Sequence, residues 1–519
     1  MLELFIGCTH TKLKFNDLDQ NSINVIKGIL EDKFTVRDSS LSYNPLVKRG
    51  IMTDKRPFYN DEYQLIPTGL IPYLKIYLKK ENIEFKVTDT RKFPEVDNEF
   101  INQEEIVMGD YIARDYQAEA LRIATKNSGN GKGGINAVLK LSTGSGKGMI
   151  AAMLCRAFPK AKILFVFDSI DLIDQTYRTF LEEYGIDESE VGIIQGNRIE
   201  DDKRIVLLSM QSYEKAFRIF RNVNVICCDE AHTTARTDTA EKIIYACQNA
   251  SVKIGLTATP ELENPYEQMR LFANIGPVLY KREVKQQIEV NAISPVDVVM
   301  YKIKQSPVRI IGSWADIYDY KTIESQKHKQ NLINEGYSII TEDGKEVARK
   351  FLEYGDESNH YVNNEERNEL IAKLAIKHKR VLLIFTRIDH GNKIFNKINE
   401  LAPDRAFIVS GKDDISKRKE AIQLLTEKED SIVLASNIFS KGIDVRPIET
   451  VIMCSGGKSS ILVIQRVGRA LRKSPDTKKT KAKIIDFYDE TLSKIAAKQS
   501  EKRQKIYEGL EVPVKIISA

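Results

Sequence analysis

Residues 137–149 combine side chains and glycines that can hold a phosphate group. The apolar run 137–141 predicts a buried strand, and an apolar helical pattern continues through Phe158. Between them stands the segment Ser142-Thr143-Gly144-Ser145-Gly146-Lys147. The N–H groups of such a turn and the positive end of a helix dipole face an anion, while a lysine reaches the terminal phosphates. A plain surface turn would explain these residues as well, so other parts of the chain must decide.

Two adjacent carboxylates could complete that chemistry. Asp229 and Glu230 directly follow a predicted strand at 223–228. Phosphoryl transfer needs one carboxylate to hold Mg²⁺ against the β- and γ-phosphates and another to orient and deprotonate the attacking water. It also needs cations for the charge that develops on the leaving group. Arg469 and Arg472 stand one helical turn apart and are the candidates for that role.

Short apolar strands alternate with helical patterns around these motifs. The alternation predicts right-handed βαβ crossovers and a parallel sheet. In the first series the polar motifs follow the strands, and open α/β sheets place their ligand sites at the carboxyl ends of strands. The predicted strands are 137–141, 163–167, 205–208, 223–228 and 252–256 in a first series, and 381–385, 406–409, 431–435 and 450–453 in a second.

The amino-terminal part predicts a small α+β domain that precedes these sheets. Its predicted elements are strand patches within 1–15, a helix at 22–34, a second helix ending at about Lys80 and a strand at 84–87.

Within that domain, the stretch 43–63 interleaves basic and aromatic side chains. Its cations include Lys48, Arg49, Lys55 and Arg56. Such a mixture suits contact with a sugar-phosphate backbone and exposed bases. A solvated face over a small core fits these residues equally well when they are considered alone.

Composition shifts divide the chain further. An acidic, irregular linker follows the front domain, and a charged, less regular region separates the two strand series. The predicted division is a front domain at 1–94, an ATP-binding α/β domain at 95–284, a hinge and insertion at 285–366, a second α/β domain at 367–490 and a basic tail at 491–519.

The composition is that of a globular protein of several domains. The chain has 519 residues, of which 42% are hydrophobic and 29% charged, and a net charge of +5 permits a nucleic-acid partner without requiring one. No apolar run is long enough to cross a bilayer, and the first residues lack a signal-peptide layout. We therefore expect a cytoplasmic protein with buried free thiols.

Six motifs stand in the order RDYQ, STGSGKG, DEAH, LTATP, SNIFSKGIDV and QRVGRALR. In this order they closely resemble a superfamily-two helicase with two RecA-like domains, over roughly residues 111–473. Finer features are similar to phage UvsW-type recombination and branch-migration helicases: RNELIAKLAIK, HGNKIF, VSGK and the front stretch QLIPTGLIPYLKIYLKK. Motors of the RecG and XPB kind fit the core about as well.

This resemblance implies ATP and Mg²⁺ as cofactors and gives individual residues roles at the nucleotide. Asp229 takes Mg²⁺, Glu230 becomes the general base, and Gln117 takes the adenine, whose edge a glutamine amide can pair with. The other implied nucleotide-site residues are Thr143, Gly144, Ser145, Gly146, Lys147 and Gly148 in the phosphate loop, Gly442 and Asp444, Gln465 near the γ-phosphate, and Arg469 and Arg472 as arginine fingers.

The resemblance also implies coupling and nucleic-acid contacts. Thr257 and Thr259, with His232 of the DEAH motif, link hydrolysis to domain movement. The residues matching motifs that follow one strand's backbone include Gln175, Gln211, Thr386, Arg387, Ser436 and Asn437.

One position departs from the family pattern. Gly148 follows the phosphate-loop lysine, where the family has a threonine or serine hydroxyl on Mg²⁺. The metal would lose one protein ligand, which water can replace because Mg²⁺ keeps several waters readily. Weak or metal-sensitive hydrolysis is the expected consequence.

Three functions therefore stay open from the sequence. The leading one is an ATP-driven DNA helicase or translocase that remodels branched DNA, acting as a monomer. The second is an RNA helicase, because contacts to the 2′-hydroxyl leave no clear mark in a sequence. The third is a nucleotide-gated DNA-binding protein in which Gly148 has removed turnover.

Overall fold

The chain forms two compact units, Met1–Glu283 and Val284–Ala519. A computed structural model describes residues 1–16, 18–126, 131–142, 144–290, 293–303, 309–310, 316–334, 337–342, 344–352, 362–436, 448–454, 481–490 and 494–518.

The first unit begins with a small α+β domain. Its four-stranded sheet has the order β5-β2-β1-β6, in which β1 pairs with β2 antiparallel and with β6 parallel. Two helices cover this sheet, and a two-stranded ribbon, β3 with β4, lies beside it. The elements are β1 (Leu2–Ile6), β2 (His10–Lys14), α1 (Gln20–Phe34), β3 (Thr35–Arg37), α2 (Pro45–Lys48), β4 (Lys55–Pro57), β5 (Leu65–Pro67), α3 (Ile71–Lys80) and β6 (Phe85–Asp89).

The rest of the first unit is built on an eight-stranded sheet of order β12-β11-β13-β10-β14-β15-β9-β16. Its strands pair in parallel except at the β11–β12 edge. The elements are α4 (Asn98–Ile101), β7 (Val107–Met108), β8 (Tyr111–Ile112), α5 (Asp115–Ala124), β9 (Asn136–Leu141), α6 (Lys147–Ala157), β10 (Ile163–Phe167), α7 (Ile170–Arg178), β11 (Val191–Gln195), β12 (Arg198–Ile199), β13 (Ile205–Ser209), β14 (Val225–Asp229), α8 (Asp238–Ala246), β15 (Val252–Thr257), α9 (Pro265–Asn274) and β16 (Val278–Arg282).

The second unit contains a seven-stranded parallel sheet of order β23-β24-β22-β25-β26-β17-β27 and a smaller antiparallel sheet, β18-β19-β21-β20. The elements are α10 (Val284–Glu289), β17 (Val296–Ile303), β18 (Arg309–Ile310), β19 (Asp316–Thr322), α11 (Gln326–Asn334), β20 (Ser338–Glu342), β21 (Lys345–Leu352), α12 (Glu365–Ile376), β22 (Val381–Phe385), α13 (Ile388–Leu401), β23 (Ala406–Val409), α14 (Ile415–Glu427), β24 (Ile432–Ser436), β25 (Thr450–Met453), β26 (Ala482–Asp489), α15 (Lys494–Gly509) and β27 (Val514–Ser518).

The predicted fold class is confirmed: a small α+β domain precedes two parallel-sheet domains. The domain division differs from the structure in two places. β17, which lies in the region predicted as hinge and insertion, pairs in parallel with β26. β27, which lies in the predicted tail, pairs with the other edge of β17. Both segments form strands that complete the second sheet, and each pairs with a strand that is far away in the sequence.

The front domain shares its apolar core with α9. Ala273 is buried in the same cluster as the sheet and helices of the front domain, and Met269 and Phe272 pack against that cluster. A Cβ on Gly69 would lie 2.1 Å from the Phe272 carbonyl oxygen. The front domain therefore approaches the end of α9 closely enough that a glycine is required there.

Polar contacts fix the start of α9 to the same domain. The Asn264 amide donates to Asp38 Oδ1 at 2.9 Å in a buried hydrogen bond. Asn264 Oδ1 accepts from the backbone N–H of Ser39 at 3.2 Å and from that of Tyr266 at 3.1 Å. One side chain thus caps α9 and joins it to the front domain.

In the described part of the chain, no helix is both long and apolar enough to span a bilayer.

Candidate active site

The phosphate loop lies between the end of β9 and the start of α6. Gly144 and Gly146 have φ angles of 86° and 77°, in the left-handed region that favours glycine. A Cβ on Gly146 would also lie 2.4 Å from Gln117 Nε2. The backbone conformation therefore favours glycine at both positions, and at Gly146 a Cβ would also displace the Gln117 amide. Thr143 lies outside the described residues.

Two side chains of α5 donate hydrogen bonds to the backbone of this loop. Gln117, which is buried, donates from Nε2 to the Ser145 carbonyl at 2.9 Å, and its Oε1 accepts from the Arg114 backbone N–H at 2.9 Å. The Tyr116 hydroxyl donates to the same Ser145 carbonyl at 2.6 Å. Gln117 thus has a positioning contact with the loop, and its predicted contact with adenine stays a prediction.

The two predicted carboxylates lie at the end of β14, close to the first residue of α6. Lys147 Nζ is 2.9 Å from Glu230 Oε1, and both side chains are largely shielded from solvent, with 12% and 20% exposure. Glu230 has a φ of 46°, which is uncommon for a residue with a side chain and typical of strained functional positions. Burial, followed by the neighbouring Glu230, raises the pKa of the Asp229 carboxyl. A cation delivered to this carboxylate would favour its ionised form.

The buried His232 lies between Glu230 and the end of β15. His232 Nδ1 lies 3.0 Å from Thr257 Oγ1, 3.5 Å from Thr259 Oγ1 and 3.5 Å from Glu230 Oε2. The Thr259 backbone N–H donates to Thr257 Oγ1 at 3.1 Å. Burial lowers the pKa of His232 to about 4, so the imidazole is neutral near pH 7. The DEAH and LTATP motifs therefore contact each other directly.

The site has the chemistry that a nucleotide with its metal requires. Ser145 is fully buried in the loop, and its hydroxyl has no hydrogen-bond partner among the residues described. The described chain contains no cluster of three or more His, Cys, Asp and Glu residues that could hold a metal alone. Mg²⁺ is commonly held by one or two carboxylates together with substrate phosphates. Asp229 at the strand end suits a metal that arrives with the nucleotide.

The predicted nucleic-acid contacts lie on several elements. Gln175 is half-buried on α7, and Gln211 is exposed just after β13. In the second unit, Thr386 and Arg387 follow β22, and Ser436 ends the neighbouring β24. The four front-domain cations predicted to contact nucleic acid occupy one segment: Lys48 ends α2, Arg49 follows it, and Lys55 and Arg56 lie on β4.

Several predicted residues lie outside the described part of the chain. They are Gly442, Asp444, Gln465, Arg469 and Arg472 of the nucleotide site and Asn437 of the nucleic-acid contacts.

The structure adds two tyrosines that the sequence reasoning missed. Tyr116 stands inside the RDYQ motif, so its neighbourhood could have suggested a role beside the loop. Tyr184 lies beside Gly148, 3.7 Å from the position a Cβ would have there, and nothing local in the sequence marks it. Such a contact depends on tertiary structure.

Comparison with known proteins agrees with this geometry. A family model described as "Type III restriction enzyme, res subunit" matches residues 110–262, and one described as "Helicase conserved C-terminal domain" matches residues 365–474. With the six motifs and two RecA-like sheets, the chain is a superfamily-two helicase and an ATP-hydrolysing enzyme.

Individual relatives cover most of the chain. A protein named "DNA 3'-5' translocase XPB2", from Sulfurisphaera tokodaii, is 26% identical over 77% of this chain and 85% of its own length. "ATP-dependent DNA helicase uvsW" of Enterobacteria phage T4 is 25% identical over 92% of this chain and 90% of its own length. The predicted resemblance to UvsW-type helicases is thereby confirmed.

A solved structure supports the fold. The "ATP-dependent Type ISP restriction-modification enzyme LlaBIII bound to DNA" has a TM-score of 0.51 and 15% identity, and the match covers 85% of this chain and 34% of that one.

Proposed function

We propose that this protein is an ATP-driven DNA helicase or translocase that unwinds or branch-migrates branched DNA in recombination, repair or replication restart. The single observation that carries the proposal is the attachment of a cation-bearing front domain to α9. The names of the XPB2 and uvsW relatives support DNA as the polymer.

The first sheet domain supplies the hydrolytic groups. Lys147 reaches the β- and γ-phosphates, and its ammonium leaves Glu230 when they bind. Glu230 then orients and deprotonates the attacking water. Asp229 would hold Mg²⁺, which would supply positive charge to the phosphates. The sequence resemblance assigns Gln465 to the γ-phosphate, and Arg469 and Arg472 to the charge that develops on the leaving group.

His232 is proposed to couple hydrolysis to movement. Its Nδ1 lies within 3.5 Å of Glu230 Oε2, Thr257 Oγ1 and Thr259 Oγ1. The residue after Thr259 is held to α9 by a hydrogen bond, because Gln268 Nε2 donates to the Pro260 carbonyl at 3.0 Å. A continuous set of contacts therefore runs from Glu230, at the proposed γ-phosphate position, to α9, which packs against the front domain.

The front domain is the proposed junction-recognition surface. Two RecA-like domains that grip one strand need no fork to step along it, so preference for a junction requires a further surface. Lys48, Arg49 and Lys55 are exposed and Arg56 is half-buried. Contacts from such cations to phosphates are sequence-blind and sensitive to salt.

One experiment separates the three functions. ATPase rates are compared without polymer and with RNA, single-stranded DNA, duplex DNA and forked DNA. A DNA motor is stimulated by DNA and most by the fork, and an RNA helicase by RNA. A nucleotide-gated DNA-binding protein binds ATP and DNA without turnover, and this outcome would overturn the proposal.

A second experiment tests the recognition surface. We expect the combined change Lys48→Ala, Arg49→Ala, Lys55→Ala and Arg56→Ala to weaken four-way-junction binding and to reduce the log–log salt slope by about 0.9 for each lost contact with duplex phosphates. Single-strand-stimulated ATPase should stay near wild type.

The matched control removes the same charge from exposed positions of the same domain: Lys12→Ala, Lys79→Ala, Lys80→Ala and Lys86→Ala. Equal loss of junction preference in both variants would mean that net charge, and not this segment, governs recognition. Surface substitutions are used because deleting the front domain would strip α9 of its apolar partners.

A further inference from the structure

The space beside Gly148 is occupied by a phenol. A Cβ at this position would lie 3.7 Å from the Tyr184 hydroxyl oxygen and 3.8 Å from Tyr184 Cε2. A threonine oxygen would stand one bond beyond that Cβ. The Tyr184 hydroxyl thus lies next to the place where the usual phosphate-loop hydroxyl would be.

The chain fixes Tyr184 in this position from two sides. Its backbone N–H donates to the Thr179 carbonyl at 3.0 Å, which closes a π-helical turn at Thr179–Glu183. Such turns occur often at functional sites. The ring packs against that of Tyr111 in a T-shaped arrangement, with centroids 5.9 Å apart and planes at 76°.

Backbone packing adds a further constraint. Gly109 has a φ of 58°, and a Cβ there would lie 2.2 Å from the Glu183 carbonyl oxygen and 3.1 Å from Tyr184 C. The segment that precedes the RDYQ motif therefore lies directly against the backbone that carries the phenol. Gly109 thus allows the two backbones to approach closely, which holds Tyr184 near the first turn of α6.

We infer that the Tyr184 hydroxyl replaces the hydroxyl missing at Gly148, by hydrogen bonding to a metal-bound water on the nucleotide phosphates. Mg²⁺ that lacks one protein ligand retains a water, and a phenol can donate to or accept from that water. The inference rests on the nucleotide site of the proposed function and is independent of which polymer the enzyme moves along.

The test measures binding, without polymer and without turnover. Affinity for a fluorescent ATP analogue is titrated against Mg²⁺, and Mn²⁺ bound to the protein–nucleotide complex is followed by electron paramagnetic resonance. Tyr184→Phe should raise the metal concentration for half-maximal binding roughly threefold to tenfold, as expected for one lost hydrogen bond. It should also change the Mn²⁺ spectrum.

Rescue by the usual hydroxyl gives the sharper readout. Gly148→Thr alone should lower the Mg²⁺ requirement, since the Cβ meets Tyr184 only at ordinary contact distance. Gly148→Thr combined with Tyr184→Phe should restore the wild-type requirement. Tyr177→Phe is the matched control, because that phenol lies on α7 and donates to Glu188 Oε1 at 3.0 Å. It should leave metal dependence unchanged.

Two outcomes would overturn the inference. One is wild-type metal dependence in Tyr184→Phe. If that variant changed only the discrimination between ATP and GTP, the phenol would contact the base and not the metal-bound water. The other is a double variant no better than Tyr184→Phe. Lys147→Ala tests the nucleotide site separately. If this variant bound the analogue normally, the phosphate loop would not be the nucleotide site, and that failure would be distinct from a failure of the inference about Tyr184.

Discussion

Two shielded lysines of the first unit show how differently its two functional regions are built. Lys147, near the carboxyl end of the sheet, faces the carboxylate of Glu230 at 2.9 Å. Lys253, near the amino end of β15, is 2% exposed and donates to the Cys8 backbone carbonyl of the front domain. One cation has an exchangeable anionic partner, and the other is fixed to a neutral group.

The surroundings of the two lysines follow the same division. Near Lys147 the backbone of Glu230 is strained and the buried Ser145 hydroxyl lacks a partner among the described residues. Near the front domain, Asn264 satisfies Asp38, and Gly69 fits closely against α9. The proposed catalytic region therefore has groups that a ligand can pair with, whereas the docking region is held by hydrogen bonds and apolar contacts within the chain. Changes to the first should alter turnover, and changes to the second should alter stability.

The largest effect is expected at the catalytic pair. Glu230→Gln should lower ATP turnover by about two to four orders of magnitude, because the general base is lost, while ATP binding persists. Lys147→Ala should instead weaken nucleotide binding. Steady-state ATPase and equilibrium binding of a nucleotide analogue distinguish the two.

Lys140→Ala is the control for that comparison. Lys140 lies on the preceding strand β9 and pairs with Glu261 and Glu283, both at 3.1 Å. Its removal should leave nucleotide binding unchanged. Turnover at the wild-type rate in Glu230→Gln would remove that residue from the mechanism.

The sequence predicted the strands of both sheets well where they are continuous apolar runs. The strands Ile163–Phe167, Val381–Phe385, Ala406–Val409 and Thr450–Met453 begin and end as predicted. β17 and β27 were missed because β17 pairs with β26, which follows it by more than 170 residues, and β27 pairs with β17 from still farther along the chain. Pairing over such separations leaves no local pattern.

The same distinction holds for the candidate site. Motif spacing put Lys147 and Glu230 at strand ends, and the structure brings them within hydrogen-bonding distance. Motif spacing could not indicate that the Gln117 amide would hydrogen-bond to the loop carbonyls, or that Tyr184 would lie beside Gly148. Those contacts arise from packing between elements that are separate in sequence.

A smaller effect, on stability, is expected at the docking region. Gly69→Ala should destabilise the protein by roughly 1–3 kcal/mol, because the new methyl group would overlap the Phe272 carbonyl and force the backbone apart. Gly28→Ala is the matched control, since no atom lies within 4 Å of its Cβ position in α1. Alanine there should stabilise by about 0.5–1 kcal/mol. Urea unfolding would measure both, and equal stability of the two variants would contradict close docking.

The last prediction concerns the charge of Lys253, whose effect on stability depends on pH. Burial lowers its pKa from 10.5 to about 8. Between these values the unfolded chain binds the proton and the folded chain does not, so folding stability should rise with pH. Below pH 8 both states are protonated and the cost of burying the charge is constant. Relative to Lys253→Met, the native lysine should gain up to about 1.4 kcal/mol per pH unit within this window.

The measurement is urea unfolding from pH 7 to 10 for both proteins in a Cys8→Ser background. That background removes the nearby thiol, whose own pKa burial raises, while keeping the carbonyl that accepts from Lys253. The hydrogen bond lost in Lys253→Met changes the offset between the two curves and not their relative slope. Parallel curves would show that Lys253 keeps its ordinary pKa. The docking region would then tolerate its charge as readily as the catalytic region tolerates that of Lys147, and the contrast between the two lysines would rest on their partners alone.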